Sequence, residues 1–122
     1  MLIEFLNTVM IDKKPFAENV RLNIQPPNKQ LRLKATYFDG EDKLPIDIMG
    51  KWTNPKIEKL SVSMIINGID MTANKDFLLK INYDIFKWQG KVVGKVSGKD
   101  VEIQISSIKD LLEIPKYIKS II

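Results

Sequence analysis

Four groups of residues in this chain are of a type and spacing that could carry chemistry. The first is a glycine-lysine pair that recurs every four residues at Gly90-Lys91, Gly94-Lys95 and Gly98-Lys99. A phosphate-binding loop needs glycine, four residues and then Gly-Lys-Ser/Thr between a strand and a helix. Here the Gly90 to Gly94 spacing is one residue short, and Lys95 is followed by Val96. The second group, Asp39, Glu41 and Asp42, offers the hard oxygen donors that Ca²⁺ or Mg²⁺ prefers. No further carboxylate cluster lies near it, and a solvated acidic turn accounts for it.

The third group is Asp84 and Glu102, which a sheet could bring within the separation used by glycoside hydrolases. If Lys95 lies between them, its cation holds both acids ionised, whereas a general acid needs a raised pKa. The fourth is Arg21, Arg32, Lys34, Lys51, Trp52 and Trp88, with Phe38 and Phe86 nearby. Basic residues interleaved with aromatics are how single-stranded nucleic acids are held. Each of these aromatics has an equally direct use in a core or at its rim.

Composition removes more chemistry than these groups add. The chain has no cysteine and no histidine, so disulfides, thiolate and imidazole ligands, and Ser-His or Cys-His nucleophile pairs cannot form within it. A non-catalytic protein without metal or cofactor is expected. The formal charge is +4, but 17 of the 19 basic residues are lysine. Arginine, with its planar fork, is the preferred reader of bases and phosphates, so the excess of lysine points first to a solvated surface. The N-terminal MLIEFLNTVMID has no basic leader, and Glu4, Asn7 and Thr8 interrupt its apolar run, so no signal peptide is expected. No stretch approaches the roughly 20 apolar residues of a membrane span. A cytoplasmic or virion location is expected.

The elements that must position these residues are strands. Residues 2–11 fit a helical stripe or a strand, and the strand is preferred; the charged DKKPFAEN that follows, with Pro15, is expected to be a loop. Val20–Gln25 and Leu31–Tyr37 alternate apolar and polar residues around Pro26-Pro27-Asn28-Lys29. Pairing Gln25 with Gln30 sets Ile24 opposite Leu31, Leu22 opposite Leu33 and Val20 opposite Ala35, leaving Arg21, Asn23, Arg32 and Lys34 on the other face. A return after Asp39-Gly40 sets either Leu33 against Ile46 or Tyr37 against Leu44, and both choices keep the same faces. Pro45 confines that strand to an edge or a bulge.

After a turn at Thr53-Asn54-Pro55, Leu60–Ile66 runs into Asn67-Gly68, the strongest short hairpin signal, with Ile66 facing Ile69, Met64 facing Met71, Ser63 facing Thr72 and Val62 facing Ala73. Phe77 to Trp88 reads as a further strand that turns at Gln89-Gly90 and places Asp84 against Lys95 and Ile85 against Gly94. A last hairpin with Gly98-Lys99 as its loop places Lys95 opposite Glu102 and Gly94 opposite Ile103. Finally, Ser106 or Ser107 caps a short helix to Glu113, and a second turn starts near Pro115.

One domain over residues 1–122 follows, with strands over 1–106 and a C-terminal helix over 107–121. The expected fold is all-β, an antiparallel meander of eight or nine strands forming a barrel or a two-sheet sandwich. No motif in the chain is specific to a known family. The expected function is protein-protein interaction or self-assembly, with a homo-oligomer or protein partner meeting a strand edge or the helix residues Ile118, Ile121 and Ile122. The alternatives are a lysine-rich single-strand nucleic-acid binder and a barrel holding an apolar ligand behind the helix.

Overall fold

A computed structural model of the protein describes residues 1–73 and 77–122. Ten strands precede two short helices: β1 (Leu2–Phe5), β2 (Val9–Ile11), β3 (Lys14–Gln25), β4 (Gln30–Asp39), β5 (Asp42–Thr53), β6 (Lys56–Ile66), β7 (Ile69–Asp70), β8 (Phe77–Asp84), β9 (Gln89–Val96), β10 (Lys99–Ile105), α1 (Ile108–Leu112) and α2 (Ile114–Ile121). They form one antiparallel sheet in the order β1-β3-β4-β5-β6-β8-β9-β10, with β2 on β3 and β7 on β6. The all-β fold with a C-terminal helix is therefore as the residue pattern predicts. Among the described residues no ladder joins β1 to β10, and the sheet is not closed.

One face of the sheet is apolar from end to end. Ala17, Ala35, Leu44, Ile46, Ile48, Val62, Met64, Leu79, Ile81, Val92, Val96, Val101 and Ile105 belong to a single buried cluster, joined by Ile114 and Ile118 of α2. The buried cluster draws on strands from β3 to β10 and on α2, so strands and helix share one core. Burial of these side chains, at roughly 25 cal/mol per Å² of apolar surface, is the main stabilising term.

The hairpins are set by residues that accept positive φ. Asn67 (φ 53°) and Gly68 (φ 79°) make the expected two-residue turn, with Ile66 opposite Ile69. The return strand ends after Asp70, because the Asp70 carboxylate accepts the backbone N–H of Thr72 at 2.9 Å and of Ala73 at 3.2 Å. The pairing of Val62 with Ala73 therefore does not form. The β3–β4 register is the expected one from Gln25↔Gln30 to Arg21↔Lys34, then shifts at a bulge near Asn19 (φ 52°). Around Gly40, Tyr37 lies opposite Leu44. Pro45 sits on a stretch of β5 that pairs with β4 only, since the β6 ladder begins at Ile46↔Met64.

Three expectations are corrected. Residues 12–19 are not a loop: Asp12 (φ 53°) and Lys13 (φ 63°) form a tight turn, and β3 starts at Lys14, with Pro15 opposite Met10. The last hairpin turns at Ser97-Gly98 (φ 52° and 78°), one residue earlier than expected, so Lys95 faces Asp100 and Gly94 faces Val101. The β8–β9 connection is the four residues Ile85 to Trp88, closed by the Asp84 carboxylate, which accepts the N–H groups of Phe86 at 2.9 Å and Lys87 at 3.2 Å. Asp84 consequently faces Gln89, and Gly94 faces Leu79. Both hairpin registers differ from expectation by an even number of residues, so no side chain of β8, β9 or β10 changes face.

The C-terminal helices follow the expected pattern. Ser107 caps α1 through its Oγ, which accepts the Asp110 N–H at 3.4 Å, while the Asp110 carboxylate accepts from the Ser106 N–H and Oγ at 3.0 Å. Pro115 is in the first turn of α2, where its missing donor removes no helical bond. Lys119 ties α2 to the β4–β5 turn, donating to Asp39 at 2.7 Å and Asp42 at 3.0 Å.

The tightest packing is between β8 and β9. A Cβ on Gly94 would overlap the Leu78 carbonyl oxygen, 2.8 Å from its carbon, and one on Gly90 would lie 2.6 Å from Tyr83 Cα. Both obstacles are backbone and cannot swing away. Gly94→Val should therefore cost at least about 2 kcal/mol in urea unfolding, through displacement of β8. Tyr83 is buried with its hydroxyl unpartnered, and that burial raises its pKa. Tyr83→Phe should leave the melting temperature unchanged or higher, because it removes an unsatisfied polar atom at constant shape.

Candidate functional site

The inner face is committed to the core, so the surfaces available for function are the outer face and the sheet ends. Arg21, Arg32 and Lys34 do share the outer face of β3 and β4. Both arginines, however, are engaged by acids of the same chain. Arg21 Nε is 3.3 Å from Glu4 on β1, and Arg32 grips Asp47 of β5 with two donors, Nε lying 2.8 Å from Oδ1. The Arg32 hydrogen bonds hold the Asp47 carboxyl below its ordinary 3.8. Trp88 is in the β8–β9 loop, with its ring edge-on to Tyr83, and Phe86 beside it is exposed. The expected basic-aromatic set is thus split among different strands and loops.

What the registers do bring together is a row of lysines that lie far apart in the sequence. Lys51 of β5 is directly opposite Lys59 of β6, and Lys59 is directly opposite Lys80 of β8. All three are exposed. None has a carboxylate within 4.0 Å among the described residues. Lys29 joins this row because the Trp52 N–H donates to the Lys29 carbonyl at 3.0 Å, pinning the Pro26–Asn28 turn against β5. Lys29, Lys51, Trp52 and Lys59 line one open hollow of about 460 Å³, where the single acid, Glu58, accepts a hydrogen bond from Thr53 at 2.7 Å. Lys59 and Lys80 carry no residue-spacing signal, since only the strand registers reveal their opposition.

The acids considered for catalysis are dispersed. Asp84 closes its own loop, and Glu102 pairs with Lys91 at 2.8 Å rather than Lys95, which lies between Leu78 and Asp100. Asp39 and Asp42 hold Lys119, so the acidic turn is an attachment point for α2. Among the described residues no group of three or more Asp or Glu side chains could hold a metal ion. Burial pushes the Tyr37 phenol up to about 12, and its ring packs on Phe16 inside the core.

The two sheet ends differ in character. On β10 the exposed side chains are Lys99, Asp100, Glu102 and Gln104. On the β1 end they are mostly apolar: Leu2 and Phe5 are each 54% exposed, Leu6 is 76% exposed and Met10 of β2 53%, while the exposed Glu4 is paired with Arg21. The helix residues expected to meet a partner all contact this chain's own core, with Ile121 and Ile122 keeping part of their surface exposed. Ile118 is fully buried, and Ile121 and Ile122 pack against the same core. Beneath α1 an apolar hollow of about 130 Å³, lined by Phe5, Val9, Phe16, Leu33 and Leu112, is smaller than the roughly 300 Å³ at which ligand pockets begin.

The Arg32–Asp47 pair gives a pH signature. Because the folded Asp47 titrates below 3.8, its contribution is present above that pH and lost as pH falls through the lower folded value. Asp47→Asn should lower stability at pH 7 by less than about 1 kcal/mol, solvent screening the pair. Urea titrations should show that deficit shrinking as the pH falls below 3.8.

Comparison with known proteins finds no matching family model, no matching curated protein and no matching solved structure.

Proposed function

We propose that the protein is a non-catalytic module that works by protein-protein contact, assembling with a second copy of itself through the free edge of β1. The observation that carries this is the contrast between the two ends of the sheet. β10 ends it with charged side chains, the usual protection against strand addition, and β1 ends it with mainly apolar ones, its one charge, Glu4, being matched by Arg21.

The backbone of β1 favours the same outcome. Met1 and Ile24 exchange both hydrogen bonds, with N to O distances of 2.8 Å in each direction. By the alternation of an antiparallel ladder, Ile3 and Phe5 then bond to β3, while Leu2 and Glu4 turn their N–H and C=O groups outward. A second β1 running antiparallel about Ile3 pairs Leu2 with Glu4 and Met1 with Phe5, and puts Ile3 against Ile3. That continues the apolar inner face across a two-fold axis. Centring on Glu4 instead would oppose two carboxylates.

Sedimentation velocity over a concentration series tests the proposal. The protein should form a dimer, Glu4→Pro should be monomeric because it removes an outward donor, and Glu4→Ala should dimerise like the parent. A strict monomer at all concentrations, or a dimer untouched by Glu4→Pro, would overturn it.

A further inference from the structure

We infer that the outer face carries a binding strip for single-stranded nucleic acid, formed by Lys29, Lys51, Lys59 and Lys80. It is separate from the β1 edge and independent of any assembly there.

Cross-strand neighbours lie about 4.8 Å apart, and like charges directly opposite each other destabilise a sheet. Most of this outer face avoids that cost by pairing lysine or arginine with an acid: Arg32 with Asp47, Lys91 with Glu102 and Lys43 with Glu18. The run Lys51, Lys59, Lys80 is the exception, with three cations in consecutive register across β5, β6 and β8. It spans about 10 Å, two strand spacings. Lys29 adds a fourth cation at one end through the hollow it shares with Lys51 and Lys59. With no carboxylate within 4.0 Å of Lys51, Lys59 or Lys80 among the described residues, and Glu58 the one acid in the hollow, the strip is a net positive field with room for a chain of phosphates.

The surroundings of the strip select among polyanions. At one end Trp52, half-buried with part of its surface packed against the core, also lines the hollow. At the other, Val93 lies directly opposite Lys80, and Leu78 is the next outward residue on β8; they are 37% and 58% exposed. Apolar side chains flanking a row of cations suit a ligand that carries flat apolar bases beside its phosphates. A sulfated polysaccharide or an inorganic polyphosphate has no group to place on them. The lysines are point charges and not forks, so recognition of the backbone without base sequence is expected.

Fluorescence anisotropy of a labelled 20-nucleotide oligothymidine, at a series of salt concentrations, tests the strip. Affinity should fall with a log-log salt slope near 3, about 0.7 for each of four lysine-phosphate contacts. The triple variant K51Q/K59Q/K80Q should bind at least about tenfold more weakly and flatten the slope by about 2. Its melting temperature should be unchanged or raised, because the opposed charges are gone. Lys59→Gln alone should reduce the slope by about 0.7 and serves if the triple variant misfolds. Lys99→Gln, at the tip of the β9–β10 hairpin, should bind like the parent. Absence of binding at low salt, binding retained by the lysine variants, or equal weakening by Lys99→Gln would overturn the inference. So would tighter binding to heparin or to phosphatidylserine vesicles than to the oligonucleotide.

Discussion

The structure depends on how closely β8 can lie against β9. Along this pair the backbones approach so closely that two positions of β9 have no room for a side chain. At Gly90 and Gly94 the space a Cβ would fill is taken by Asn82, Leu78 and Leu79 main-chain atoms or by Tyr83. Side chains there would push β8 outward and open the cluster around Val92, Leu79 and Ile81. The same contact fixes which residues of β8 and β9 share the outer surface, including the position of Lys80 beside Val93. The glycine-lysine repeat that resembles a phosphate loop is thus a spacing rule for two closely packed strands. Its glycines at 90 and 94 face inward for clearance, and the lysines between them face water.

Alternation was the most legible feature of the chain, because it survives errors of register. The β9–β10 turn is displaced by one residue from its expected place and the β8–β9 register by six, yet Val92, Val96, Val101 and Ile105 are all buried as expected. What alternation does not specify is which residues form a loop, and there side-chain chemistry decided. Asp84 gathers the N–H groups of Phe86 and Lys87 and holds Ile85 to Trp88 out of the ladder. Asp70 does the same after β7. Asp12 and Lys13 make a turn without glycine, and this is why the charged segment around Pro15 resembles a loop although it opens the longest run of β3.

The candidate surface was less legible than the fold, for a physical reason. Salt bridges across a sheet join residues that are distant in the sequence, so an attractive basic cluster can be neutralised by an acid that no local pattern reveals. Asp47 does this to Arg32, and Glu4 to Arg21. Conversely, Lys51, Lys59 and Lys80 look like isolated surface lysines until the β5–β6 and β6–β8 registers are known. Both registers pass through a shift, at Trp52 in one and after Ile57 in the other. A shift of one residue at either would have moved Lys59 out of the row.

The apolar β1 end and the lysine strip lie at different places on one sheet, and they differ in what each would cost if it had no use. Exposed Leu2, Phe5 and Leu6 leave apolar area in water beside unpaired backbone groups, a standing risk of uncontrolled strand addition that β10 avoids with charge. Opposed lysines impose repulsion on the folded state that exchanging Lys59 for a neutral side chain would relieve. The helix residues show the contrasting case. Ile118 is spent on the core, and Lys119 beside it is matched by Asp39 and Asp42, while Tyr117 on the same helix is 41% exposed. Stability alone accounts for Ile118 and Lys119. It accounts for neither the apolar edge nor the lysine row, and that difference is the physical ground on which both proposals rest.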